Sequence, residues 1–431
     1  MLRAATHGDR PAVVAGGRAH TYRELDLLAE ATARRLAAVG VGRGDRVATT
    51  LPPGAAFAAL LHAVPRIGAI LVPVNTRLSA DERRAQLEAA APFLVVEEPL
   101  EGSEAEVEAR ATVPADEPWT LLFTSGTTGA PKPVLLTHGN HAASAFASAW
   151  GTGVAPDDHW LCVLPLFHVG GLAILIRSAV YGTAAVVHER FKEERAAAAL
   201  ESGEVTLASL VPTMLQRLVT AGVRPSPRLR GILLGGAGAP TRLLDWAAGR
   251  GLRLIRTYGM TETASQVAVA TGRDPAVALP GVRIRVAPDG QILVAGPMVA
   301  AGVAGPGGLL RTGDRGAIDE DGRLEVHGRI DEVIVTGGEK VAAPEVEEAL
   351  ARHPAVADAA VVGLPDREWG EVVTACVVAS GGVEAAELRA HCHERLAPFK
   401  VPKRWHLVDS LPRTAAGKIR RGELRSDLSG G

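Results

Sequence analysis

Two short apolar runs, WTLLF at residues 119–123 and GILL at 231–234, stop abruptly in glycine-rich sequence, TSGTTG at 124–129 and GGAG at 235–238. A strand that is apolar on both faces must be covered on both, which is the habit of parallel sheets flanked by helices. The first 270 residues support the same arrangement elsewhere. YRELDLLAEATARRLAAVG (22–40) predicts an amphipathic helix with Leu25, Leu28, Ala29 and Leu36 on one face and Gly40 as its stop. DRVATTLP (45–52) reads as a strand, 55–75 as a helix broken near Pro65 and followed by a strand, and PFLVVEE (92–98) as another short strand. Such alternation makes an α/β domain around a largely parallel sheet the expectation.

The texture changes twice. VRIRVAPDGQILVAG (282–296) alternates about a Pro-Asp-Gly turn and GRLEVHG (322–328) alternates again, so a small β-rich unit is expected. Beyond Arg329, PEVEEALARHPAVADAAVVGLP (344–365) predicts a helix then a strand, and VEAAELRAHCHERLA (383–397) a second helix. About a hundred residues remain there, enough for a separate small α+β domain. The tail SDLSGG is expected to fray.

A formal net charge of −2 gives no reason to expect nucleic acid or an anionic membrane as partner. Cys162, Cys376 and Cys392 form no CxxC pair and no disulfide framework, and the first residues lack the apolar stretch of a signal peptide. A cytoplasmic protein is therefore expected. Residues 169–187, VGGLAILIRSAVYGTAAVV, approach membrane-spanning length, but Arg177 at their centre would cost about 3 kcal/mol there. A buried core segment is the expectation, in which Arg177 needs a partner.

The run after WTLLF can expose successive backbone N–H groups, because glycine permits the left-handed turns such a nest needs. Thr124, Ser125, Thr127 and Thr128 add hydroxyls, and Lys132, one of six lysines among 46 basic residues, adds charge. The sum suits phosphate oxygens; a flexible surface turn is the competing reading. It is not the GxxxxGK[ST] loop, since the spacing is Gly126-x-x-Gly129-x-x-Lys132. LLGGAGAP (233–240) fails as a dinucleotide fingerprint because Thr241 stands where a third glycine is needed; packing against a flat purine stays open. Tyr258 offers a ring for a base, and Glu262 between Thr261 and Thr263 suits Mg²⁺. Asp314 in RTGD and Lys418 in PRTAAGKIRR sit in loops, where local capping and solvated surface compete with any functional role. His391-Cys392-His393 invites a metal reading, but such neighbours diverge on a helix, so ordinary helix surface is expected.

In their order, TSGTTGAPK, LPLFHVGG, LLGGAGAP, YGMTET, RTGD, GRIDEVIVTGGEKVAAPEVE and PRTAAGKIRR resemble the acyl-adenylate-forming superfamily of acyl-CoA synthetases, luciferases and adenylation domains, over nearly the whole chain. The resemblance implies a large domain of stacked α/β subdomains at 1–328, its β-rich part at about 275–328, a hinge at 329–332 and a mobile small α+β domain at 333–431. It implies ATP, Mg²⁺ and coenzyme A. Thr124, Ser125, Gly126, Thr127, Thr128, Gly129 and Lys132 would grip the β- and γ-phosphates. Gly235, Gly236 and Ala237 would line the adenine and acyl group, and Tyr258 would stack on the adenine. Thr261 would approach the α-phosphate, and Glu262 would hold Mg²⁺. Asp314, assisted by Arg329, would bind the ribose hydroxyls, and Asp331 would be the hinge. Gly337 and Gly338 would border the pantetheine channel, and Lys418 would reach the α-phosphate and the acyl carboxylate. His168 and Gly259 fall among substrate-binding positions. Two departures stand out. Pro133 replaces the family's usual glycine and stiffens the exit from the loop, and the stretch between Tyr258 and Asp314 is short, implying a trimmed subdomain.

Within the superfamily, LPLFHVGGLAILIRSAVYG and LLGGAGAP followed by YGMTETASQ are most similar to the o-succinylbenzoate–CoA ligase family of menaquinone biosynthesis. That family commonly carries a basic residue nine positions after the motif histidine, here Arg177 after His168. The resemblance implies that Arg177 helps neutralise the carboxylate on the substrate's ring, while an arginine paired with a buried acid is the equal alternative. A ligase for a fatty or aryl monoacid, a carrier-protein-loading adenylation domain and a non-catalytic nucleotide-binding protein on the same fold stay open, as does a homodimer.

Overall fold

The computed structural model describes residues 4–108, 110, 112–125, 131–236, 238–330, 333–337, 339–366, 368–414 and 417–429. Two large sheets carry the first part of the chain. One has nine strands, in the order Val277–Ala278, Ser265–Thr271, Leu254–Met260, Gly231–Leu234, Leu207–Leu210, His159–Cys162, Ala184–Val187, Pro11–Ala15 and Arg18–Thr21. The strands from Leu254–Met260 to Pro11–Ala15 run parallel, and those flanking them pair antiparallel. The second sheet has the order Leu94–Val96, Arg46–Thr49, Ile70–Pro73, Pro118–Ser125 and Pro131–Thr137, with the last strand antiparallel at the edge.

One apolar core serves both sheets and reaches Ile292 and Val294 of the β-rich part; Leu25, Leu60, Leu122, Trp160 and Ile174 all belong to it. The helix Tyr22–Ala38 starts at Thr21, whose hydroxyl accepts from the Glu24 N–H while the Glu24 carboxylate takes the Thr21 N–H at 2.8 Å. Such a reciprocal cap contributes about 1 kcal/mol. Its buried stripe is Tyr22, Leu25, Ala29, Ala33 and Leu36. Leu28, expected on that face, is 42% exposed. At 100° per residue it lies roughly 100° from the centre of the stripe.

Residues 169–187 are a buried helix, Val169–Tyr181, and a strand, Ala184–Val187, separated at Gly182, whose φ of 74° ends the helix. Among the described residues no helix is long and apolar enough to cross a membrane. The helix His138–Thr152 begins with a reciprocal cap between Thr137 and Asn140. The Asn140 amide also donates to the carbonyls of Pro297 and Val299 at 2.9 and 3.1 Å, which fastens the second sheet to the β-rich part.

That part is a four-stranded antiparallel sheet, Arg283–Val286, Gln291–Ala295, Leu310–Ile318 and Leu324–Arg329. The last sheet is built from Val333–Thr336, Glu339–Ala342, Val356–Asp366, Gly370–Ala379 and Arg404–Leu407, and has its own core around Ile334, Val361, Val377 and Leu388. Cys392 is buried in that core, and His391 packs edge-on to His353 at 4.9 Å, so His391-Cys392-His393 is not plain helix surface. The choice of face is made by the neighbouring helix Ala343–Ala351, whose Ala349 carbonyl bonds His391 Nε2 at 3.0 Å. All three cysteines are buried and unpaired. Of SDLSGG, expected to fray, SDLS lies in a helix, Arg421–Ser429, anchored by buried Leu424, and the two glycines lie outside the described residues.

Candidate active site

The strands Pro118–Ser125 and Pro131–Thr137 form an antiparallel hairpin with Thr124 opposite Lys132. Its connecting residues, among them Gly126, Thr127, Thr128 and Gly129, lie outside the described residues, as do Ala237, Asp331 and Gly338. The Thr124 hydroxyl donates to the Lys132 carbonyl at 3.5 Å. Pro133 falls opposite Phe123 on the edge strand, where a missing N–H is tolerated. The hairpin packs against the short turn Thr261–Thr263, so the loop segment and the Thr261–Glu262 pair are neighbours.

That turn is held by strict steric demands. Tyr258 and Gly259 flank a bulge against the strand Ser265–Thr271. A Cβ at Gly259 would lie 2.0 Å from the Ser265 carbonyl oxygen and 2.5 Å from Gln266 Cα. Ala264 and Ser265 follow with φ of 52° and 134°, conformations that L-residues hold only when their surroundings impose them. Thr263 is buried; it accepts from the Met260 N–H and donates to the Ser265 carbonyl at 2.7 Å. The Glu262 carbonyl accepts from Ala300 N–H at 2.9 Å, while its carboxylate forms no hydrogen bond or ion pair among the described residues. Among those residues there is also no cluster of three His, Cys, Asp or Glu side chains. One free carboxylate that leaves the other positions to phosphate oxygens and water suits Mg²⁺.

Beside the turn, the Tyr258 hydroxyl donates to Asp314 Oδ2 at 2.8 Å. Arg329 Nη1 donates to Asp314 Oδ1 at 3.3 Å and to the Thr312 carbonyl at 3.0 Å. Gly313, at φ 76°, makes this approach feasible, because a Cβ there would stand 2.9 Å from the Arg329 guanidinium. Burial, and then the Asp314 charge, push the Tyr258 pKa well up, so Tyr258 remains a donor. Gly235 and Gly236 continue the floor: a Cβ at Gly235 would meet Thr257 Oγ1 at 2.6 Å, and Gly236 has φ 85°.

His168 opens the helix Val169–Tyr181, with Gly171 N–H bonded to its carbonyl. The LPLFHVGG turn is too tight for a side chain at Gly171, where a Cβ would lie 2.4 Å from the Pro165 carbonyl oxygen. His168 Nε2 is buried without a hydrogen-bond partner. Burial, then the positive charges of Arg77 and Lys418, lower its pKa to about 4, so the ring is neutral. Lys418 belongs to the last part of the chain, and its loop is closed by Thr414 N–H to the Lys418 carbonyl at 2.7 Å. Gly417, at φ 81°, seats that loop on Val211 and Thr213 at the start of the helix Pro212–Thr220. The Lys418 charge thus reaches His168 across the two parts of the chain.

Arg177 stands apart from that group. It is 4% exposed, lies over the Trp160 ring at 5.8 Å and feels Tyr181 and His141 nearby. Its Nε and Nη2 are buried and unbonded, and burial lowers its pKa. No acid pairs with it among the described residues. Gly337, at φ 57°, supports the Trp369 ring, and Lys403 Nζ sits 2.9 Å above the centroid of that ring. Reasoning from sequence overlooked Arg77, the Val211 seat and this Trp369–Lys403 pair. Each is a contact between distant segments that no periodicity announces.

Donors, one free carboxylate and a lysine from the last domain therefore surround a glycine floor. That inventory suits a nucleotide triphosphate and a second, acidic reactant. Residues 2–304 match the AMP-binding enzyme family, and residues 345–418 match the AMP-binding enzyme C-terminal domain. A Bacillus cereus protein named 2-succinylbenzoate--CoA ligase is 36% identical over 99% of this chain and 97% of its own. The o-succinylbenzoate CoA synthetase (MenE) of Bacillus subtilis in complex with the acyl-adenylate intermediate OSB-AMP superposes with a TM-score of 0.92 at 36% identity, covering 98% of this chain and 96% of that one. With ATP and magnesium ion the same enzyme gives 0.91 at 35% identity, covering 98% of each chain. A double mutant of it bound with the product analogue OSB-NCoA gives 0.74 at 35% identity, covering 98% of this chain and 96% of that one. Identity and coverage are nearly equal, so the chain superposes better on the adenylate and ATP complexes than on that one.

Proposed function

The chain belongs to the AMP-binding enzyme family, and on that premise we propose that it is an AMP-forming acid–CoA ligase. It converts o-succinylbenzoate, ATP and coenzyme A into o-succinylbenzoyl-CoA, AMP and pyrophosphate in menaquinone biosynthesis. The reaction belongs in the cytoplasm, and three unpaired thiols suit that compartment. A carboxylate is a poor electrophile. In the first step its oxygen attacks the α-phosphorus of ATP, the bond to pyrophosphate breaks, and a mixed anhydride with AMP results. In the second step the sulfur of coenzyme A attacks the acyl carbon and AMP leaves with the bonding pair.

The residues divide the work as follows. Thr124, Ser125, Gly126, Thr127, Thr128, Gly129 and Lys132 hold the β- and γ-phosphates. Gly235, Gly236 and Ala237 give a backbone floor to the adenine and acyl group, and Tyr258 stacks on the base. Asp314 and Arg329 take the ribose; their bonding to one another supports that role by fixing the carboxylate beforehand. Thr261 and Lys418 stabilise charge on the α-phosphate as it develops. Glu262 would hold Mg²⁺ together with phosphate oxygens, and the ion supplies charge neutralisation there. His168 and Gly259 border the acyl group. The small domain, 333–431, turns on the hinge at 329–332 about Asp331 relative to 1–328, withdrawing Lys418 and bringing Gly337 and Gly338 to the pantetheine channel.

The observation that carries the choice of acid is Arg177. A buried guanidinium with two unbonded nitrogens and no acidic partner among the described residues calls for an anion. The second carboxylate of o-succinylbenzoate supplies one while the succinyl carboxylate reacts. Pyrophosphate release measured over a panel of carboxylic acids, with and without coenzyme A, tests the reading. Highest kcat/KM for o-succinylbenzoate, with thioester formed only when coenzyme A is present, is expected. Preference for a monoacid would refute the assigned substrate, and no release with any acid would refute the ligase.

A further inference from the structure

A cleft of about 580 Å³ opens between the large-domain helix Thr241–Ala248 and the small-domain helix Ala343–Ala351. The two parts are not packed face to face there, so individual bonds across the gap weigh heavily in setting their angle. Thr241 Oγ1 donates to Glu348 Oε1 at 2.9 Å. Arg242 donates through Nη1 to the Val356 carbonyl at 3.4 Å and through Nη2 to the Ala357 carbonyl at 3.1 Å. Carbonyls are rigid parts of the backbone, so bonds to them constrain orientation more than bonds to a mobile side chain.

The segment that Arg242 grips leads to the catalytic loop. Asp358, the next residue, attracts Arg242 and accepts from Arg413 Nη2 at 2.6 Å. Arg413 Nη1 in turn donates at 2.6 Å to the carbonyl of Gly417, the residue before Lys418. A continuous path runs from the large domain through 356–358 and Arg413 into the loop that carries Lys418.

Resting on the two-step reading above, we propose that Arg242 is a positioning residue for acid activation. It latches the small domain in the arrangement seen here, and through Asp358 and Arg413 it sets the Lys418 loop. The bonds exist in this arrangement and are released when the small domain turns for thioester formation. An interaction made in one arrangement only shifts the balance by its own worth.

The two half-reactions, ATP–pyrophosphate exchange and thioester formation from supplied o-succinylbenzoyl-adenylate, separate this role from a folding defect. In Arg242→Ala, exchange falls roughly five- to tenfold, the worth of one or two hydrogen bonds, while thioester formation is unchanged or faster. Arg242→Lys, which keeps one donor to the carbonyls, recovers part of the exchange. Equal losses in both half-reactions, or none in either, overturn the proposal. A second readout needs no activity: the distance between spin labels on Ala221→Cys and Arg389→Cys, one on each domain. Arg242→Ala depletes the population at the wild-type distance; an unchanged distribution overturns the latch. Should the unaltered enzyme fail to exchange with any acid while the labels still move, the ligase reading falls and the latch stands.

Discussion

Tyr258 donates its hydroxyl to Asp314 Oδ2 at 2.8 Å, joining the nine-stranded sheet to the β-rich sheet at the nucleotide end of the site. Asp314 is largely buried and also faces Arg329, so the carboxylate is held before any ribose arrives. A hydrogen bond from a hydroxyl to a charged carboxylate is worth about 1.5–3 kcal/mol. Tyr258→Phe is expected to raise KM for ATP at least about tenfold with kcat little changed. Asp314→Asn, which also removes the charge facing Arg329, raises it further. Initial rates at varied ATP check both, and an unaltered KM would remove the pair from the nucleotide site.

Arg177→Met separates a substrate role from a structural one. Unmet buried donors cost roughly 1–3 kcal/mol, and methionine of similar length carries none. Melting temperature is therefore expected to hold or rise, while KM for o-succinylbenzoate rises at least about tenfold and that for a simple benzoate does not. A lower melting temperature with an unchanged KM would make Arg177 structural.

The parallel strands were legible where both faces had to be apolar, as at 119–123 and 231–234, because such runs leave no other home for their side chains. The helix Tyr22–Ala38 was legible from its apolar spacing, while its Thr21–Glu24 cap, equally local, was overlooked. Leu28 and Cys392 were misplaced because which face of a helix is covered depends on the element laid against it, and four apolar positions spread over about three turns define a stripe only loosely. The site residues could be named individually, since glycine floors and lone charges leave a local signature. Their meeting could not be. Gly417 on Val211, Lys418 near His168 and Arg242 on Val356 join segments far apart in the chain, and nothing in either segment encodes the other.

Four histidines make stability depend on acid. Burial lowers the pKa of His62 and His141 to about 3 and of His138 and His168 to about 4. Unfolded, each titrates near 6.5, so below that pH the unfolded chain takes up protons that the folded chain does not. The stabilisation is complete above pH 6.5 and is lost as pH falls towards 4, at on the order of 1 kcal/mol per unit for each histidine. Denaturant midpoints between pH 7 and 4.5 should show this, and His141→Gln, which keeps a partner for Thr120, should flatten the slope by one proton. His168 stays neutral throughout, so kcat/KM carries no step near 6.5 from it; a step abolished by His168→Gln would contradict the assignment.

Gly259→Ala tests the geometry that presents Thr261 and Glu262. A methyl group 2.0 Å from the Ser265 carbonyl cannot be accommodated without moving the bulge. Pyrophosphate exchange should fall by at least about a hundredfold, with a stability loss on the order of 2–4 kcal/mol in denaturant. Wild-type values for both would mean that the strand yields freely there.

The central claim is that one lysine, carried by the small domain to the neighbourhood of His168, serves the activation of the acid and not the transfer to sulfur. The direct measurement is ATP–pyrophosphate exchange in Lys418→Ala with o-succinylbenzoate, alongside thioester formation from supplied adenylate. The account predicts that exchange drops by at least about a hundredfold while thioester formation stays within about twofold of wild type. Exchange at the wild-type rate would contradict it.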